Sequence, residues 1–100
     1  MELPLSITRA GAEHVAVPGF TKNISSSGVL FTSGAAPDLG GPIEYIITLN
    51  HEGAQGVCLR CMGKVLRAIR VEREKSDLGF QVAATLERYE FVRDRGRLAL

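Results

Sequence analysis

Apolar and polar residues alternate along most of this chain, and a period of two is typical of half-buried β-strands. The pattern is clearest in LPLSITR and IEYIITL, two segments separated by turn-rich sequence. Their apolar positions fall on one face of each strand: Leu3, Leu5 and Ile7 in the first, and Ile43, Tyr45 and Ile47 in the second. Both segments are therefore predicted to turn one face towards a core.

Further strands are predicted between and after these two segments. GVLFTS is a short apolar strand that follows the polar turn in GFTKNIS, and SGAAPDLGGP is a loop rich in residues that break strands. The stretch between Gly11 and Gly19 has a looser pattern. VCLRCMGKVLRAIRVE predicts a long, twisted strand in which Gly63 marks a bulge or a tight bend.

The last part of the chain predicts one more strand and then a helix. After a turn at REKSD, the segment LGFQVAATL alternates as a strand. Its inner-face positions are Leu78, Phe80, Val82 and Ala84. In LERYEFVRDRGRLAL, the residues Leu86, Tyr89 and Val92 or Arg93 recur at helical spacing, which predicts a helical tail over residues 86–100.

Together these elements predict an all-β fold, a small six-stranded antiparallel β-barrel with a short C-terminal helix. A closed barrel is favoured because closure removes the strand edges that so short a chain could not otherwise cover. An open β-sandwich is the alternative. The length fits a single domain over residues 1–100 with one modest core. The helical tail would pack over one end of the barrel or offer a surface to a partner.

The charge balance and composition narrow the classes of function. Lys and Arg total 12 against 11 Asp and Glu, a formal net charge of +1, so no global field attracts nucleic acid. Four phenylalanines, two tyrosines and no tryptophan are few for a barrel that stacks single-stranded bases. No stretch resembles a signal peptide or a membrane span, so we expect a cytoplasmic protein without membrane insertion.

Taken together, the two cysteines and two histidines have no spacing that is typical of a metal or catalytic site. Cys58 and Cys61 form a Cys-x-x-Cys, but an odd spacing on a strand sends the two side chains to opposite faces. His14 and His51 show no ligand spacing, and neither has a nucleophile or an acid–base partner in a recognisable arrangement. We therefore expect structural thiols, no metal site and no enzymatic activity.

The segment NISSSGVLF concentrates an amide, three hydroxyls and a glycine ahead of an apolar strand. We name residues 23–28 the serine turn. Its polarity fits a simple turn, in which the side chains of Asn23 and Ser25 cap local backbone groups. It fits a polar ligand equally well, because the amide and hydroxyl can donate and accept hydrogen bonds and Gly28 allows close approach to the backbone.

The same stretch, TKNISSSGVLF, resembles the second signature of the PilZ domain family, in which Asp or Asn, then Ser, then Gly precede an apolar strand. Asn23, Ser25 and Gly28 stand at those three positions. The order of GGPIEYIITL, CMGKVLRAI, LGFQVA and YEFVR is also similar to that family, so the resemblance covers nearly the whole chain. It implies a six-stranded barrel that ends in a helix.

The family is best known for binding cyclic di-GMP, a bacterial second messenger, and the resemblance implies that Asn23, Ser25 and Gly28 face its guanine, ribose and phosphate. Lys22 and Arg9 are candidate accessory residues. Binding members also carry Arg-x-x-x-Arg shortly before the first strand, whose guanidiniums clamp phosphates and stack on guanine. This chain begins MELPLSITR, and Arg9 has no second arginine four residues away.

We therefore expect a cytoplasmic PilZ-type regulatory module that binds cyclic di-GMP at the serine turn, requires no other cofactor and acts on a protein partner. Loss of two charge-assisted contacts would cost about 3 to 6 kcal/mol of binding free energy, roughly a hundredfold to ten-thousandfold in affinity. Two explanations of the missing arginines stay open. They lie upstream of Met1 in a longer chain, or this member has lost nucleotide binding and works through protein contacts alone.

Overall fold

The computed structural model describes residues 2–50, 56–71 and 79–93. Its regular elements are all β-strands: β1 (Pro4–Ala10), β2 (Glu13–Ile24), β3 (Gly28–Ser33), β4 (Pro42–Asn50), β5 (Val57–Arg70), β6 (Phe80–Thr85) and β7 (Arg88–Arg93). The alternation of apolar and polar positions thus produces strands as predicted. The stretch with the looser pattern is also extended, because β2 runs through most of it.

Six of the strands close into an antiparallel barrel in the order β4-β1-β2-β3-β6-β5, with β5 pairing back onto β4. The predicted barrel is therefore confirmed over the open sandwich. The closing seam is long, since the β4–β5 register runs from Pro42 opposite Lys64 to Asn50 opposite Val57. Every pairing is antiparallel. Because the sheet closes, each of the six strands has a neighbour on both sides.

The core fills the inside of this barrel. Its fully buried apolar residues are Leu5, Ile7, Val29, Phe31, Ile43, Tyr45, Ile47, Cys61, Val65, Val82 and Ala84. Most of the predicted inner-face residues of β1, β4 and β6 are among them. Leu3 and Phe80 are only partly buried, and Leu78 lies outside the described residues. The rings of Phe31 and Tyr45 pack with their centroids 5.6 Å apart.

One polar contact crosses the core. The Tyr45 hydroxyl donates a hydrogen bond of 3.1 Å to the Thr85 carbonyl, and burial raises the pKa of this phenol. Burial also raises the pKa of the Cys61 thiol to about 12, whereas Cys58 is only partly buried. Cys61 therefore behaves as a small apolar side chain, as the spacing on the strand predicts.

Gly63 lies where β5 leaves β7 and turns to pair with β6. A Cβ atom built on Gly63 would overlap the Thr85 carbonyl oxygen and lie 2.7 Å from the Thr85 hydroxyl oxygen. Gly63 stays in register opposite Ile43, and the bulge on β5 falls at Leu66, between Val65 and Arg67. The bulge or tight bend predicted at Gly63 is not there, because the bulge lies three residues further along. Glycine is required at position 63 by its close contact with Thr85.

The predicted helix is not observed in its described part. Arg88–Arg93 form β7, which pairs with residues 57–62 of β5, and the rest of the predicted tail, residues 94–100, lies outside the described residues. Residues 57–62 also pair with β4, so β7 must occupy the opposite edge of β5, in line with β6. β6 and β7 are therefore successive partners of one long strand, and β7 extends beyond the barrel.

Candidate ligand groove

A shallow groove crosses the outer face of the barrel over four strands. The cross-strand registers place Asn23 of β2 beside Leu30 of β3, Leu30 beside Ala83 of β6, and Ala83 beside Arg67 of β5. These four residues form one row perpendicular to the strands. Three steps of about 4.8 Å between strands separate the backbones of Asn23 and Arg67 by roughly 14 Å.

The groove has a volume of about 250 Å³. Its lining residues are Asn23, Ser25, Gly28, Val29, Leu30, Leu66, Arg67, Ala83 and Ala84. Ala83 has a short side chain on this outer face, which leaves the floor low between the polar turn on one side and β5 on the other. The three residues of the sequence motif, Asn23, Ser25 and Gly28, therefore line one groove.

Two β-bulges aim the walls of the groove outward. In β2 the register moves from Thr21 opposite Phe31 to Asn23 opposite Leu30, so Lys22 is the extra residue. In β5 the extra residue is Leu66. Since side chains alternate between faces, each bulge resets the alternation, and the residue after it points away from the core. Asn23 and Arg67 owe their outward direction to these insertions.

The serine turn is organised by its own hydrogen bonds. The Ser25 backbone N–H donates to the Gly28 carbonyl at 2.9 Å, and the Ser25 hydroxyl donates to the same carbonyl at 3.3 Å. The Ser27 N–H donates to the Ser25 hydroxyl oxygen at 3.4 Å. The two side-chain contacts are long and exposed, so the hydroxyl can exchange them for a ligand at small cost. Ser25 thus caps the turn and also faces the groove.

Gly28 has a packing role beside its place in the groove. Its φ is not positive, but a Cβ atom at this position would lie 3.0 Å from the Ala84 carbonyl oxygen. The Leu86 N–H donates to the Ser27 carbonyl at 2.9 Å, which ties the end of β6 to the same turn. The turn is therefore held against β6, and a larger residue at position 28 would require β3 and β6 to move apart by a few tenths of an ångström.

The polar side chains of the groove differ in whether they already form hydrogen bonds within the protein. The Asn23 amide and the Arg67 guanidinium are exposed, and neither forms a hydrogen bond or an ion pair with a described residue. The lining includes one cation and, among the described residues, no carboxylate. The groove therefore offers an amide, a hydroxyl and a positive charge, a combination that suits a polar ligand carrying negative charge.

The two accessory residues lie elsewhere. The Lys22 amino group is 3.6 Å from a carboxylate oxygen of Glu2, and the side chain is not part of the groove lining. The Arg9 guanidinium contacts the His14 ring at 3.2 Å and lines a different cavity. The structure thus brings Asn23, Ser25 and Gly28 together and leaves Lys22 and Arg9 outside their site.

That second cavity, of about 420 Å³, lies across β1, β4, β5 and β7. Its charged lining residues are Arg9, Glu44, Lys64, Glu87 and Arg88. The Thr8 hydroxyl donates to the Glu44 carboxylate at 2.8 Å, and this bond, together with Arg60, lowers the pKa of that carboxyl. The second cavity thus has three cations and two carboxylates in its lining, whereas the lining of the groove has a cation and no carboxylate among the described residues.

No cluster of metal-binding side chains occurs among the described residues. Within the same ranges there is no helical segment with the length and hydrophobicity of a membrane span. The chain matches no family model, no curated protein and no solved structure. A function has to be argued from the residues and the geometry of the groove.

Leu66 and Arg67 are the residues of the groove that sequence reasoning missed. Arg67 belongs to a basic run that the sequence offers as a contact face for an anion, but a mixed, solvated surface is the favoured interpretation, since acidic residues stand close by in the chain. The bulge at Leu66 determines the direction of the Arg67 side chain, and no residue in VLRAI predicts this bulge. The available signal was weak: an arginine in a strand that runs alongside the last strand of the barrel.

Proposed function

We propose that this protein is a PilZ-type regulatory module that binds cyclic di-GMP in the groove beside the serine turn. One observation carries the proposal: Asn23, Ser25 and Gly28, the residues of the family-like motif, line one groove on the outside of a six-stranded barrel. The exposed amide of Asn23 suits the edge of a guanine base, and the Ser25 hydroxyl suits a ribose or phosphate oxygen.

The start of the chain supports the same assignment. The Leu3 N–H donates to the Thr21 hydroxyl at 2.8 Å, and the Thr21 N–H donates to the Leu3 carbonyl at 2.9 Å. The residues before β1 are thus anchored to β2 two positions from Asn23. We propose that ligand binding fixes the residues before β1 over the serine turn. This change would alter the surface offered to a protein partner.

The first test is a calorimetric titration of cyclic di-GMP into the wild-type chain and three variants. We expect micromolar binding that Asn23→Ala weakens roughly tenfold, because one hydrogen bond to the ligand is lost. Ser25→Ala removes both a ligand contact and a cap of the turn, so we expect at least as large an effect. Ser26→Ala is the matched control, since Ser26 is exposed in the same turn and does not line the groove.

The outcomes separate a ligand site from a simple turn. Equal affinity in Asn23→Ala and Ser26→Ala would move the binding site away from the serine turn. Absence of heat up to high micromolar ligand, in a chain shown by circular dichroism to be folded, would reject the receptor function. The second candidate function, recognition through protein contacts alone, would then remain.

That second candidate is favoured by β7. Tyr89 and Phe91 are 59% and 68% exposed, and their rings meet edge to face at 6.3 Å. In the described part of the chain β7 pairs with β5 alone, so its other edge can accept a further strand. An antiparallel pair of two β7 strands centred on Tyr89 would set Arg88 of each copy opposite Glu90 of the other, which is a favourable pairing.

We accordingly propose a second copy of this chain as the occupant of that edge. Sedimentation equilibrium should show a concentration-dependent dimer for the wild type and a monomer for Phe91→Glu, which places a charge in the exposed aromatic pair. Leu39→Glu is the control, because Leu39 is equally exposed in a loop far from β7 in sequence. A wild-type monomer at all concentrations would exclude this occupant.

A further inference from the structure

Two cations of β5, Lys64 and Arg67, have no side-chain partner within the described residues. Arg60 is held between two carboxylates, with bonds of 3.0 Å to both Glu44 and Glu90. The Arg70 guanidinium lies over the Phe80 ring, 5.8 Å from its centroid. Lys64 lines the other cavity. Arg67 alone among them lines the groove, and its charge is not neutralised there.

Leu66, the neighbour of Arg67, makes part of the same wall of the groove apolar. Leu66, the residue inserted by the bulge, is 64% exposed and lines the groove beside the guanidinium. A large aliphatic side chain in solvent is a favourable surface for the flat face of a base, because contact removes apolar area from water. β5 thus presents a planar cation for phosphate and an apolar surface for a ring, side by side.

We propose that Arg67 binds a phosphate of the nucleotide and that Leu66 covers one of its bases. This inference rests on the proposed function and deepens it: Arg67 supplies, from β5, the cationic contact that the chain lacks before β1. The ligand would then bridge the groove, with a base edge at Asn23 and a phosphate at Arg67. The separation of these two residues across four strands favours a ligand with a base at one end and a phosphate at the other.

The test compares cyclic di-GMP affinity in the wild type, Arg67→Ala and Arg67→Lys, at low and high salt. We expect Arg67→Ala to weaken binding about 10- to 100-fold and to make the affinity less dependent on salt, because one charge-assisted contact is removed. Arg67→Lys should restore only part of the loss, since an ammonium cannot hold phosphate through two parallel hydrogen bonds. Arg70→Ala, with the same change of charge on the same strand, is the control.

Leu66 is tested with the same ligand. Leu66→Ala should weaken binding severalfold through lost apolar contact and leave the salt dependence unchanged. Leu66→Met, which keeps an apolar side chain of similar size, should restore the affinity. Equal affinity of the wild type and Leu66→Ala would remove Leu66 from the site.

A second probe separates failure of this inference from failure of the proposed function. Inorganic pyrophosphate carries the charge without a base, and its titration is followed by the NMR signal of the Arg67 side-chain N–H. If the wild type and Arg67→Ala bind cyclic di-GMP equally, the inference is overturned and the receptor function stands. If cyclic di-GMP fails but pyrophosphate shifts the Arg67 signal, the phosphate site stands for another ligand. If cyclic di-GMP does not bind and pyrophosphate leaves the Arg67 signal unchanged, both proposals are rejected.

Discussion

Gly63→Ala is expected to unfold the barrel. The new methyl group would overlap the carbonyl of Thr85, a backbone group that no rotamer change can move aside. Relief requires β5 and the end of β6 to separate. Overpacking usually destabilises a protein by about 1 to 3 kcal/mol. A methyl group that overlaps a fixed backbone carbonyl belongs to the exceptional substitutions that cost more than about 4 kcal/mol. That is most of the stability of a small domain.

The separation of the strands would also break the contacts that converge on Thr85. Its carbonyl accepts the Tyr45 hydroxyl, and its own hydroxyl accepts the Lys64 N–H at 2.8 Å. The same hydroxyl donates to a Glu87 carboxylate oxygen at 2.9 Å. Gly63 and Thr85 therefore join the core, the seam between β5 and β6, and the start of β7 at one place.

Urea unfolding followed by far-ultraviolet circular dichroism measures the effect. Gly79→Ala is the matched control, because a Cβ atom there meets no described residue within 4 Å and its φ is not positive. This control should be neutral or stabilised by about 0.4 to 1 kcal/mol, since alanine restricts the unfolded chain. A Gly63→Ala variant with the midpoint of the wild type would show that β5 and β6 do not approach as described.

Phe31→Ala should destabilise the protein by about 3 to 5 kcal/mol, the usual cost of removing a fully buried aromatic side chain. Phe31 is 0% exposed, and its ring packs against Tyr45 across the core. It also lies next to Leu30 in β3, so its loss would loosen the strand that forms the floor of the groove. We therefore expect weaker ligand binding at temperatures where the variant is partly unfolded.

The measurement is thermal unfolding of the wild type, Phe31→Ala and Phe31→Leu. For a domain of this size, 1 kcal/mol corresponds to a shift in Tm of about 4 to 8 °C, so Phe31→Ala should melt more than about 12 °C below the wild type. Phe31→Leu keeps most of the buried volume and should lie much nearer the wild type. Equal Tm values for the two variants would mean that the site tolerates a cavity and that Phe31 is not central to the core.

The groove was partly predictable. Asn23, Ser25 and Gly28 are close in sequence, so a local turn brings them together whatever the rest of the chain does, and the motif identifies them without a structure. Arg67 and Leu66 lie more than 35 positions away in the chain. They reach the groove because β3 and β6 pair between β2 and β5, and because a bulge resets the alternation of β5.

The C-terminal segment shows why local spacing misleads. Leu86, Tyr89 and Val92 fit a helical period, yet β7 leaves no contrast between a buried and an exposed face because every residue in it is exposed. Without a face to bury, period carries little information about structure. The pairing with β5 decides the strand, through backbone hydrogen bonds that depend on no particular side chain.

The amino-acid sequence by itself determined the all-β class, the inner faces of the barrel strands and the polar turn, because alternation and turn residues act through local geometry. Only the tertiary structure decided the closing seam between β4 and β5, the position of the bulges and the strand β7. It also decided that Arg67 lies in the same row as Asn23, across the groove. Those features depend on pairing between distant segments, where one inserted residue turns a side chain from one face of the sheet to the other.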